Sequence, residues 1–171
     1  VLNTGPCQLI IQNPRQDVGS AESTSLYTGA ELNNRSIVSR LDCGPTSILF
    51  AADIETGGLR QLPESGHRPV TVLKVPHHGA RSSLDQDWIR QLHPQYAIIS
   101  VGATNPYGHP APAVIKTYED QATMIYRTDR DGAVWVQGQL SSSNLTVTSM
   151  RELMIQPIDV FTCPWRCELQ N

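Results

Sequence analysis

Apolar residues in this chain fall into short runs that alternate with stretches of helical spacing. The clearest run is 96–101 (YAIISV), β-branched and aromatic, and it reads as a strand. Others lie at 70–75 (VTVLKV) and 47–52 (SILFAA). Upstream of the latter, Ile37, Leu41 and Cys43 alternate with Val38, Arg40 and Asp42, and Cys43-Gly44-Pro45-Thr46 supplies turn chemistry. This predicts a hairpin whose second strand is buried on both faces. Between 70–75 and 96–101, Leu84, Trp88, Ile89 and Leu92 recur at helical spacing, and Ser83 with Gln86 reads as a capping box.

A second helix is expected from near Pro112, turning Val114, Ile115 and Tyr118 inward, then a strand at 123–127. Arg130-Asp131-Gly132 turns the chain into a last strand at 133–137. The pattern divides the chain three ways: 1–35 as one strand (8–11) plus a long loop, 36–138 as an alternating α/β body, and 139–171 as a polar tail without assigned structure. No internal repeat is visible.

Composition narrows the class without naming a function. With 171 residues, 39% apolar and a net charge of −3, the chain has the length of one globular domain, which excludes disordered and coiled-coil readings. It contains no membrane-spanning run, its start lacks the features of a signal peptide, and by itself it is expected to be soluble. The charge balance gives no basic footprint for nucleic acid. That leaves a nuclease possible, because a metal neutralises phosphate locally. Cys7 and Cys43 stand isolated and Cys163 and Cys167 form C-P-W-R-C, so one local disulfide or free thiols is the default expectation.

Three successive apolar runs end in polar clusters: 47–52 in Asp53, 70–75 in Pro76-His77-His78-Gly79, and 96–101 in Gly102 with Asn105, Tyr107, Gly108 and His109 beyond it. Ligands of layered α/β folds sit at the carboxyl ends of the strands, so these clusters should converge on one rim. Taken singly, Asp53 suits a cap, His77-His78 a surface pair and Tyr-Gly-His-Pro a turn. Jointly, imidazole and carboxylate suit zinc or manganese and a metal-activated water. His67 and His93 are assigned no site role, and Asp129 and Asp131 read as turn carboxylates.

Six segments then carry a family resemblance: 33–42 (NNRSIVSRLD), 48–55 (ILFAADIE), 73–83 (LKVPHHGARSS), 96–102 (YAIISVG), 105–110 (NPYGHP) and 127–134 (RTDRDGAV). In this order and spacing they resemble the soluble domain of ComEC-type competence proteins, a branch of the metallo-β-lactamase superfamily. The resemblance implies an αββα sandwich with a two-metal site of zinc or manganese at one edge. It places Asp53 as the bridging carboxylate, His78 as the terminal ligand and His77 as a phosphate contact or proton carrier. It further gives His109 as a donor to the scissile phosphate, and Asn105, Tyr107 and Asn34 as residues beside the substrate. The implied activity is hydrolysis of phosphodiesters in DNA, in a parent protein of the bacterial cell membrane with this domain on its outer face.

The departures are specific. Ala52 stands where the family has glycine before the bridging carboxylate, and Ala80 follows His78-Gly79 where serine is usual. The H-x-H-x-D-H motif is absent, leaving two protein ligands where zinc takes three or four. The chain is therefore expected to be inactive alone. It reads either as the C-terminal half of the sandwich, with the upstream half and the membrane channel segments as partners, or as a degenerate copy. The alternatives in function are a small-molecule phosphoesterase or lactonase of the same fold, or a metal-free binding module.

Overall fold

In the computed structural model, residues 1–14, 27–139 and 144–155 are described. Seven strands form one sheet in chain order: β1 (Leu2–Thr4), β2 (Cys7–Asn13), β3 (Val38–Cys43), β4 (Thr46–Phe50), β5 (Val72–Lys74), β6 (Tyr96–Ile99) and β7 (Met124–Arg127). Strands β1 to β4 pair antiparallel, and β4 to β7 pair parallel. The parallel half needs crossovers, and the chain supplies α2 (Thr56–Leu59), α3 (Gln86–Leu92) and α4 (Pro112–Glu119) between successive strands. The architecture is mixed α/β.

One face of the sheet holds the core. Leu49, Leu73 and Ala97 are register partners across β4, β5 and β6, and all are fully buried. Over them pack Leu59 of α2, Trp88, Ile89 and Leu92 of α3, and Val114 and Tyr118 of α4. Each such side chain contributes about 1.5–3 kcal/mol on leaving water. Arg40 also points into this face. Its guanidinium donates to Asp42 and to the carbonyls of Arg68 and Pro69, which ties the 63–70 segment to β3.

The opposite face carries an apolar row that crosses the whole sheet: Leu2, Leu9, Leu41, Ile48, Val72, Tyr96 and Met124 stand in register. A two-stranded antiparallel sheet, β8 (Val134–Gly138) and β9 (Leu145–Ser149), covers part of it. The Tyr126 hydroxyl donates to the Val147 carbonyl, and Ile48 shares a cavity wall with Val136 and Leu145. The cover stops short of the ends: Phe50 is 42% exposed and Ile11 46%. The expectation that β4 is buried on both faces is thereby corrected. Its helix-side residue Leu49 is buried, whereas Phe50 lies beyond the reach of the hairpin.

Further differences have local causes. Among the described residues of the first 35 there are two strands and a helix, α1 (Gly29–Asn34), where one strand and a loop were expected; Thr28 and Glu31 form the capping box that starts this helix. The cap of α3 is Asp85, whose carboxylate accepts from Trp88 N, and not Ser83, which lies in the preceding turn. Cys7 and Cys43 are joined by a disulfide across register partners of β2 and β3, a link between strands 36 residues apart in sequence. A short helical turn, α5 (Thr128–Asp131), precedes β8, and α6 (Met150–Ile155) follows β9 where no element was assigned. Cys163 and Cys167 lie outside the described residues.

Candidate functional site

The three polar clusters meet at one rim because β4, β5 and β6 are parallel neighbours, so their carboxyl ends lie side by side. Asp53 follows β4, the 76–79 turn follows β5, and the 100–110 loop follows β6. Backbone geometry then sets the side chains. Ala52, His77 and His78 all hold left-handed φ values (48°, 45° and 55°), and His77 N donates to Ala52 O at 2.8 Å, which fastens the β5 turn to the β4 end. Gly79 has φ +81°, and a Cβ there would stand 2.6 Å from Pro110 Cβ. Its bare backbone lets the 105–110 loop seat against the His-His turn, and Ala111 N donates to Gly79 O.

His78 Nδ1 stands 2.7 Å from the Ser100 carbonyl, which only accepts, so Nδ1 carries a proton and Nε2 is the nitrogen turned toward the rim. That Nε2 lies 3.5 Å from Asp53 Oδ1, with both side chains about half exposed. An imidazole held by a carbonyl on one nitrogen while the other faces a carboxylate is the usual arrangement of a metal-binding histidine and its outer partner. The pair fits as two donors. Among the described residues, no group of three or more His, Cys, Asp or Glu side chains is placed to hold a metal ion.

His77 points the other way. Its Nδ1 is buried without a hydrogen bond, 3.4 Å from Glu55 Oε1 but outside hydrogen-bond geometry. Glu55 is itself anchored: Asn33 Nδ2 donates to its Oε1 at 2.9 Å, and its N–H donates to Asn34 Oδ1. Asn34 Oδ1 also accepts from Gly58 N, so the side chain placed beside the substrate by resemblance holds the 55–58 turn. Asn105 acts in the same internal manner. Its amide donates to Gly102 O and His109 O while its Oδ1 accepts from His109 N.

This staple sets His109 against His77 with ring centroids 5.8 Å apart, and Tyr107 stacks on the other side of His109 at 5.8 Å and 22°. Burial, and then the neighbouring His77 and His78, lower the pKa of the His109 imidazole from its ordinary value. Lys74, at the end of β5, donates from Nζ to Val75 O. Burial lowers its ammonium pKa, and the Asp53 charge opposes that shift.

Glu55, Asn33 and Lys74 were not singled out in the sequence reading. Glu55 sits two positions after Asp53 in the same segment, and that adjacency was the available signal. Asp129 and Asp131 serve the β7 end, as turn carboxylates do. Asp129 accepts two hydrogen bonds from the Arg127 guanidinium, and Asp131 accepts from Arg127 N.

No family model matches the chain. Among curated proteins, it is 34% identical over 106 residues to ComE operon protein 3 of Bacillus subtilis (strain 168), covering 61% of this chain and 14% of that protein. It is 32% identical over 104 residues to competence protein ComA of Neisseria gonorrhoeae, covering 60% of this chain and 15% of that protein. Recombination protein 2 of Haemophilus influenzae is 31% identical over 104 residues, covering 61% and 13%. The chain spans about one seventh of the length of the relatives it matches. Within that span it is a relative of the ComEC-type competence proteins.

Proposed function

We propose that this chain supplies one edge of a metallo-β-lactamase-type site that hydrolyses phosphodiester bonds of DNA during its uptake. The observation that carries the reading is the orientation of His78: the Ser100 carbonyl accepts from Nδ1 and leaves Nε2 facing Asp53. Asp53 and His78 would hold divalent metal, with the remaining ligands coming from outside this sequence. A bound zinc or manganese supplies Lewis-acid polarisation of the phosphate and a hydroxide nucleophile near neutral pH.

This chain's own residues bind and orient. His109, stapled by Asn105, offers a ring N–H to a phosphate oxygen. His77, backed by the Glu55 carboxylate, is placed to hold a proton at Nδ1. Asn34 and Asn105 act as positioning residues, since their polar atoms support the turns that carry Glu55 and His109. Tyr107 faces solvent beside them.

The partly open face of the sheet supports docking of the complementary first half of a sandwich, and the names of the competence-protein relatives support DNA as substrate. A disulfide between Cys7 and Cys43 suits an oxidising compartment, in keeping with the outer face of the cell membrane. No helix among the described residues is long and apolar enough to cross a membrane.

The test is divalent-metal-dependent cleavage of single-stranded and duplex DNA by the full-length protein. Asp53→Ala and His78→Ala should each reduce the rate by about 100-fold or more, because losing only a hydrogen-bond partner of a metal ligand already costs about 10–100-fold. Activity within twofold of the parent in either variant removes that residue from the site.

A further inference from the structure

A crevice of about 390 Å³ opens beside His78. Ser100, Val101 and Gly102 form its floor, and Asn105, Tyr107 and His109 line it from the loop side. Its walls are mostly apolar, although it adjoins the candidate metal pair and shares His78 with it. The Tyr107 ring is 78% exposed, a costly state for an aromatic side chain, yet the loop holds it stacked on His109. The three hydrogen bonds of Asn105 fix that loop, so the stack is preorganised.

We infer that this crevice is a nucleobase subsite, in which Tyr107 and His109 stack the base that flanks the scissile phosphate. The inference rests on the reading of DNA as substrate. Apolar walls and an aromatic ring recognise the π-face that every base shares, and do not read the hydrogen-bonding edges that distinguish one base from another. The subsite therefore orients a strand without selecting its sequence. Gly102 lines the crevice, and a Cβ built there meets nothing within 4 Å, so the space beside it is open.

The experiment is an NMR titration of the 171-residue chain, without metal, with the single-stranded trinucleotide d(TTT) and with the same trimer made abasic at its centre. The ring protons of Tyr107 and His109 should shift saturably with d(TTT). The abasic trimer should bind about fivefold or more weakly, the lower end of what losing one stacked base costs. Tyr107→Ala should lose the same factor, and Tyr107→Trp should keep the affinity. Gly102→Leu, whose Cβ meets nothing within 4 Å, should weaken binding likewise. Equal affinity for the two trimers, or undiminished binding by Tyr107→Ala or Gly102→Leu, overturns the subsite. Because no metal is present, the outcome is separable from that of the hydrolase reading. Base-dependent binding with no cleavage by the full-length protein would retain the subsite and remove the nuclease; cleavage indifferent to Tyr107 would do the reverse.

Discussion

Glu55 Oε1 stands 3.4 Å from His77 Nδ1, at the buried end of a line of rings that runs through His109 to Tyr107 in solvent. Asn33 holds the carboxylate from behind, which keeps Glu55 within ion-pair range of His77 Nδ1. Glu55→Gln keeps the side chain's size and its acceptor for Asn33 while removing the charge. The imidazole 15N shifts of His77 should move toward a mixture of tautomers in this chain. In the full-length protein, metal-dependent cleavage should fall about 10–100-fold. Unfolding free energy should change by less than about 1 kcal/mol, since one hydrogen bond is retained. Unmoved 15N shifts would show that the two groups are neighbours without coupling.

Gly79 couples two of the three clusters. A methyl group there meets Pro110 Cβ at 2.6 Å, and φ +81° is unfavourable to any L side chain. Gly79→Ala should destabilise the chain by about 2–4 kcal/mol, overpacking and left-handed strain acting together. Chemical denaturation measures this. The same substitution should separate His109 from His77, visible as loss of contacts between their rings, because Pro110 carries His109 with it.

Ala52 gives the opposite sign. It holds φ 48° immediately before Asp53, where the related family carries glycine. Relief of left-handed strain, about 1–2 kcal/mol, outweighs the added freedom of glycine in the unfolded chain, about 0.4–1 kcal/mol. Ala52→Gly should therefore stabilise by about 0.5–1 kcal/mol in equilibrium unfolding. Destabilisation would mean that the alanine methyl makes packing contacts worth more than the strain.

The strands that carry the site were legible because their runs are short, apolar and closed by polar clusters, and parallel neighbours put those ends together. Long-range pairing was not legible. Cys7 and Cys43 are 36 residues apart and meet only through the β2–β3 register, which no local pattern encodes. Asp85 displaced Ser83 as a cap because the helix begins two residues later than its apolar spacing implied. Glu55 was hidden for another reason: its role comes from Asn33 and His77, each 22 residues away, and not from its own neighbours.

The Arg127–Asp129 pair sets a pH dependence. Both side chains are largely buried, and the Arg127 guanidinium holds the Asp129 carboxyl below its ordinary range, burial opposing it in part. A depressed folded-state pKa means stability that is complete above the unfolded value of about 4 and is lost as pH falls through the folded value. Asp129→Asn should lower stability at pH 7 by about 1–3 kcal/mol, as expected for a charge-assisted bidentate contact. It should also flatten the dependence of unfolding free energy on pH below about 4. An unaltered acid limb in urea titrations would assign the acid sensitivity elsewhere.

The exposed ends of the second sheet face make the last prediction. Ile11 and Phe50 flank the register position of Ser39, so the three stand side by side on that face, two apolar and exposed around one small polar residue. Buried apolar side chains stabilise by about 1.5–3 kcal/mol each, but these two are close to half exposed and contribute less. Replacing both with threonine keeps β propensity and should cost no more than about 1–2 kcal/mol. What should change is association. Two large apolar side chains left open on one sheet face recruit other apolar surface, so the unsubstituted chain should self-associate with rising concentration in sedimentation or light scattering. The double variant should remain monomeric over the same range. If the unsubstituted chain stays monomeric throughout, the pair is too small to drive contact, and the face would offer little hold for the rest of a sandwich.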